Sequence, residues 1–121
     1  MKAVVVALAT LALLAGCGGS ATAQPAGSVK VSMTEYHFTP GDISVPAGKV
    51  VFYLVNDGSG TSHDMVIKDS SGRTVAKSEL VSSGDSIVFT VDSIAAGSYT
   101  IVCDQPGHEA SGMKGTLTVT A

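Results

Sequence analysis

From residue 29 onward, apolar and polar residues alternate in short runs bounded by Gly, Pro, Asn, Asp and Ser. Successive side chains of a strand point to opposite faces, so such alternation marks strands with one buried face. It predicts strands over 29–34, 43–45, 49–56, 63–68, 74–77, 86–91, 98–103 and 115–120. Pro40-Gly41-Asp42, Asn56-Asp57-Gly58, Ser70-Ser71-Gly72 and Ala96-Gly97-Ser98 supply turn chemistry between them. Segment 79–83 fits either a strand or an irregular connection. No long helix and no internal repeat is visible. Short strands at this spacing, in about one hundred residues, predict a single all-β sandwich domain.

The parity of the pattern also orients individual residues. Tyr99, Ile101 and Cys103 share a face, which their size marks as inward, so Cys103 falls at the rim of the core. His63, Met65 and Ile67 share a face in the same way, with Asp64 pointing oppositely. His37 alternates away from Tyr36 and Phe38 and reads as a surface strand residue. Met33 and Met65 read as core filling, Met65 close enough to His63 to line whatever His63 serves.

Candidate chemistry is concentrated near the C-terminus, where Cys103, His108 and Met113 form a C-x4-H-x4-M pattern with His63 upstream. Asp104-Gln105-Pro106-Gly107 favours a tight turn that returns His108 towards Cys103. Glu109-Ala110-Ser111-Gly112 does the same for Met113, with Gly112 allowing an unusual backbone angle. One loop thus supplies three donors, and His63 enters from a neighbouring strand. Thiolate and thioether are soft donors, imidazole is borderline, and two His with one Cys and a weak axial Met suit one copper ion of the blue electron-transfer type. Zinc favours four strong ligands and rarely takes a thioether.

With these residues in view, the chain resembles the cupredoxin family over roughly 29–119, through Phe38-Thr39-Pro40, Val45-Pro46-Ala47-Gly48, Val50-Val51-Phe52, Asn56-Asp57-Gly58, His63 and the run from Cys103 to Met113. The four-residue gaps on both sides of His108 are like those of auracyanin, rusticyanin and the phytocyanins, whereas plastocyanin has a shorter gap between Cys and His and azurin a shorter gap between His and Met. The resemblance implies a Greek-key β-sandwich holding one type 1 copper through His63, Cys103, His108 and Met113. It further implies one-electron transfer by Cu(I)/Cu(II) cycling, with His108 as the exposed ligand and electron port, and His63 more buried, its second ring nitrogen fixed by a hydrogen bond. Two positions depart from the pattern. Asp64 stands where many members have Asn, and Ser62 stands where azurin has a Gly whose carbonyl approaches the metal.

The N-terminus sets the expected compartment. Lys2 precedes an apolar run, 3–15, that is shorter than the roughly 20 residues of a membrane-spanning helix, and Leu14-Ala15-Gly16-Cys17 follows. This resembles a bacterial lipoprotein signal over 1–16, with Cys17 as the lipid attachment site. Residues 17–27, rich in small and polar side chains, read as a lipid-anchored flexible linker, leaving 28–121 as the domain. The expected location is therefore extracytoplasmic, on the periplasmic or outer face of the cell membrane. With Cys17 assigned to the anchor and Cys103 to the metal, no disulfide is expected.

Charge narrows the partners. The formal net charge is −3, one unit more negative once Lys2 is removed, and there is no basic patch or aromatic platform for nucleic acid. The expected partners are transient redox proteins, with a small apolar rim of Pro106, Gly107, Ala110 and Gly112 around His108 as docking surface for a monomer. A copper chaperone or storage protein could use the same donors and is the main alternative. A Cys-His enzyme leaves Met113 unexplained, so no enzymatic role is expected, and a metal-free adhesion module leaves all four donor positions to coincidence.

Overall fold

Alternation along the chain becomes two packed sheets. The computed structural model describes residues 22–121, which contain nine strands and no helix. They are β1 Val29–Thr34, β2 His37–Thr39, β3 Asp42–Pro46, β4 Gly48–Asn56, β5 Val66–Lys68, β6 Thr74–Lys77, β7 Ser86–Ile94, β8 Gly97–Val102 and β9 Lys114–Thr120. One sheet has the order β2-β1-β4-β7 and the other β3-β9-β8-β5-β6. β1 pairs in parallel with β4 and β3 with β9, and the remaining ladders are antiparallel. This is the expected Greek-key β-sandwich.

The inward positions of both sheets meet in one core. Val50, Phe52 and Leu54 of β4 face Leu117 and Val119 of β9, Ile101 of β8 and Ile67 of β5, all buried. Burying each such side chain contributes about 1.5–3 kcal/mol. Met33 and Met65 are fully buried here, and His37 lies exposed on β2. Gly115 lets β9 approach the β2–β3 turn: a Cβ there would lie 2.1 Å from the Gly41 carbonyl oxygen. That oxygen accepts the Thr116 N–H at 2.9 Å.

Three local features differ from the alternation pattern. A short strand forms at β2, which the sequence shows only as an isolated surface position. The expected strand 63–68 is divided, because His63 pairs with Val81 of the ambiguous segment 79–83 as an isolated antiparallel bridge, and β5 begins only at Val66. Asp64 sits within the break and is buried. The third concerns the segment expected to be a linker, where the Thr22 N–H donates to Ser86 Oγ at 2.9 Å, while Tyr53 Oη donates to the same oxygen at 3.2 Å. The expected signal segment 1–16 and Cys17 lie outside the described residues. Among the described residues, no helix is long and apolar enough to cross a membrane.

Candidate metal centre

The last inward position of β8 is followed by a loop that folds back on itself twice. His108 N–H donates to the Gln105 carbonyl at 3.0 Å and Met113 N–H to the His108 carbonyl at 3.0 Å, while Cys103 N–H reaches the Met113 carbonyl at 3.2 Å. Gly107 and Gly112 adopt φ of 80° and 105°, the left-handed region that glycine enters without steric cost. The Pro-Gly and Ser-Gly pairs therefore act as the sequence suggests, and they bring Cys103, His108 and Met113 to one end of the sandwich.

His63 reaches the same place by long-range contacts. Its N–H and carbonyl pair with Val81 at 3.0 and 2.8 Å. Asn56, the polar residue that ends the inward row of β4, is fully buried and braces this bridge. Its Nδ2 donates to the carbonyls of Thr61 at 2.8 Å and Val81 at 2.9 Å, and its Oδ1 accepts the Gly58 N–H at 2.9 Å. Every polar atom of this buried amide has a partner, as burial requires.

Three donor atoms converge. His63 Nδ1 lies 3.2 Å from His108 Nδ1, Cys103 Sγ lies 3.4 Å from His108 Nδ1 and 3.9 Å from His63 Nδ1. A point equidistant from all three is about 2.0 Å from each, within the range of metal–imidazole bonds and slightly short of a metal–thiolate bond. The residues thus fit a metal ion without rearrangement, and the donor set of two imidazoles and a thiol favours copper. His63 and Cys103 are fully buried, His108 retains 8% exposure, and Met113, hydrogen-bonded through its backbone to both Cys103 and His108, is fully buried.

The electrostatics follow from burial. Burial lowers the pKa of His63, the neighbouring His108 lowers it further, and Glu35 opposes both. Burial raises the Cys103 thiol, while peptide N–H groups of Asp64 and Gln105 act in the other direction. Without a cation His63 and Cys103 therefore favour their neutral forms.

Around this triangle lie Glu35 and Tyr36, which have no outstanding mark in the sequence, and Asp64, which the sequence marks as a departure from the family's Asn. Glu35 Oε1 stands 3.5 Å from His63 Nε2, on the side of the ring away from Cys103. Its carboxyl is lowered to about 2, chiefly by its own backbone N–H. Tyr36 meets the His108 ring edge-on with centroids 5.0 Å apart. Asp64 Oδ1 accepts the Asp104 N–H at 2.9 Å and so ties the His63 segment to the Cys103 loop. Burial raises the Asp64 pKa, whereas Asp104 is lowered by its hydrogen bonds to Asp64 and then Lys77. Lys77 Nζ approaches Asp104 Oδ2 at 2.5 Å and Asp64 Oδ2 at 3.8 Å. Lys77 is half exposed, so this network positions charge more than it stabilises the fold.

Comparison with known proteins agrees with this architecture. A family profile described as a cupredoxin-like domain matches residues 4–119. Auracyanin-B of Chloroflexus aurantiacus is 34% identical over 80 residues, covering 64% of this chain and 34% of that protein. An azurin of Pseudomonas fluorescens is 37% identical over 70 residues, 54% of each protein. The plastocyanin of Scenedesmus fuscus is 30% identical over 87 residues, covering 68% of this chain and 85% of that protein. The chain thus spans about a third of the first relative and about half of the second. Among solved structures, auracyanin B superposes with a TM-score of 0.71 at 26% identity, over 83% of this chain and 93% of that one. The reduced auracyanin of Roseiflexus castenholzii gives 0.69 at 20%, over 86% and 99%. On the extent of the profile match and the shared fold, the chain belongs to the cupredoxin-like family.

Proposed function

We propose that this protein is a blue-copper electron carrier, in which His63, Cys103 and His108 would be the strong ligands of one copper ion and Met113 a weaker fourth donor. The observation that carries the reading is the buried triangle of two Nδ1 atoms and one Sγ, with sides of 3.2, 3.4 and 3.9 Å. Copper, when bound, supplies a Cu(I)/Cu(II) couple. The chain's own contribution is to hold the donors still: Cys103 immediately after β8, His63 on its bridge to Val81, His108 inside a loop closed by backbone hydrogen bonds. Close packing of the sandwich resists movement of these groups, which keeps reorganisation small.

His63, Cys103 and Met113 are fully buried, so the donors approach from inside the sandwich, and the thioether of Met113 suits the carrier reading. His108 is the most exposed of the four and serves as the electron port. Pro106, Gly107, Ala110 and Gly112 form the rim on which a redox partner docks briefly, the chain acting as a monomer. We further assign residues 1–16 to a lipoprotein signal and Cys17 to lipid attachment, with 17–27 as linker. The domain is then held outside the cytoplasm at the membrane surface. Membrane fractionation tests this directly: wild type partitions with membranes, and Cys17→Ser is released or left unprocessed. A wholly soluble wild type with unmodified Cys17 contradicts the anchor.

The test of carriage uses reduced, copper-loaded protein mixed with an oxidised copper or haem protein. The electron leaves while copper content stays constant. Copper appearing in the acceptor instead identifies a chaperone.

A further inference from the structure

We propose that Glu35 is the positioning residue of His63: its carboxylate fixes the ring tautomer that presents Nδ1 as a free lone pair, and it places a negative charge one imidazole away from the metal. The first part follows from counting protons. A neutral imidazole carries a single N–H, and His63 Nδ1 faces only Cys103 Sγ and His108 Nδ1, so the nitrogen that faces oxygen acceptors, Nε2, takes the proton and Nδ1 keeps its lone pair. Nε2 faces two oxygens, Glu35 Oε1 at 3.5 Å and Thr61 Oγ1 at 3.4 Å. The Thr61 hydroxyl donates its own proton to Glu35 Oε1 at 3.1 Å, which leaves its lone pairs for the His63 N–H. Each hydrogen then has one direction to go.

Glu35 is itself held in place. Ser59 N–H donates to its Oε2 at 3.3 Å, and Gly58 has no side chain where a Cβ would come within 2.6 Å of Oε1. A carboxylate on the remote nitrogen of a ligating His orients the ring and raises its basicity. Its charge also favours the more positive, oxidised site. Across one imidazole, near a surface where Glu35 keeps 27% of its side chain exposed, Coulomb's law gives a shift of about three- to fiftyfold in the redox equilibrium constant. Tyr36, the next residue, touches His108. Its contact reports whether a substitution has displaced the turn or only removed the charge.

The potential part rests on the copper reading of the previous subsection, and the tautomer part does not. The experiment therefore has two arms on the full-length chain. In the metal-free protein, ¹⁵N NMR of the His63 ring is expected to show the proton on Nε2 in wild type and Glu35→Gln, whose amide oxygen still accepts, and a mixed population in Glu35→Leu. In the copper-loaded protein, Glu35→Gln is expected to bind one copper, retain the Tyr36–His108 ring-current shift, and move the equilibrium at least threefold towards the reduced form. A His63 proton on Nδ1 in wild type overturns the proposal, as does a Glu35→Gln equilibrium within twofold of wild type. If wild type takes up no copper, the carrier reading fails, and the NMR arm alone decides the role of Glu35.

Discussion

The two halves of the candidate copper site are built in opposite ways. Cys103, His108 and Met113 lie on one loop whose shape is set within itself, by Gly107 and Gly112 at positive φ and by hydrogen bonds that span only a few residues, closed by the Cys103–Met113 pair. His63 depends on residues distant in the chain: Val81 pairs with its backbone, Asn56 braces that pair, and Glu35 meets its ring. A local loop gives one compact source of three donors. A long-range bracket makes the fourth conditional on the sandwich being folded. The difference teaches that the site assembles only when the fold is complete, although most of its donors are close in sequence.

Breaking the loop half at its strongest donor has the largest expected effect. Cys103→Ser removes the thiolate and abolishes the visible colour of the copper-loaded protein, which absorption spectroscopy reads directly. Breaking the bracket half comes next. Asn56→Ala leaves the Thr61 carbonyl and the Gly58 N–H without their partner and the Val81 carbonyl with the His63 N–H alone, and a buried network of this kind costs about 2–4 kcal/mol. Urea unfolding is expected to show that loss. Copper affinity falls with it, because His63 is the donor released. An unchanged unfolding midpoint removes the claim that the bracket depends on Asn56.

How much of this was legible in the sequence follows the same division. The loop half was readable because turn chemistry is local: Pro106-Gly107 and Ser111-Gly112 announce their conformations, and C-x4-H-x4-M shows the donors. Sheet parity likewise placed Ile101, Cys103, Met65 and Ile67 inward, as found. Of the bracket half, His63 itself was readable, but the residues that hold it were not. Segment 79–83 is ambiguous by alternation because only Val81 pairs, and it pairs with one residue. The alternation through 63–68 suggests an unbroken strand, yet pairing stops at Asp64, whose carboxylate turns to the Asp104 N–H instead. Glu35 and Tyr36 carry no signal, since their meaning comes from which imidazoles the β1–β2 turn happens to reach.

Smaller effects sharpen the comparison within the loop. Met113→Gln is expected to keep copper bound and lower the reduction potential, since a harder oxygen donor favours Cu(II), and Met113→Leu is expected to raise it. Voltammetry checks both. If neither moves the potential, Met113 is not axial and Met65, buried beside His63, becomes the residue to test. Smallest in energy is Ala110→Glu, on the exposed rim. It adds charge and bulk where a partner docks, so stopped-flow electron transfer slows several-fold while copper affinity holds. An unchanged rate moves the docking surface elsewhere.

The central claim is that a buried thiolate and two imidazoles hold one copper in a blue site, and the most direct measurement is the spectrum of the full-length protein loaded with one equivalent of Cu(II). The expected result is an intense visible charge-transfer band from Cys103 with a small copper hyperfine splitting in electron paramagnetic resonance, bleached by ascorbate and restored by oxidant. A colourless protein, or a colour accompanied by the large hyperfine splitting of ordinary Cu(II), contradicts it.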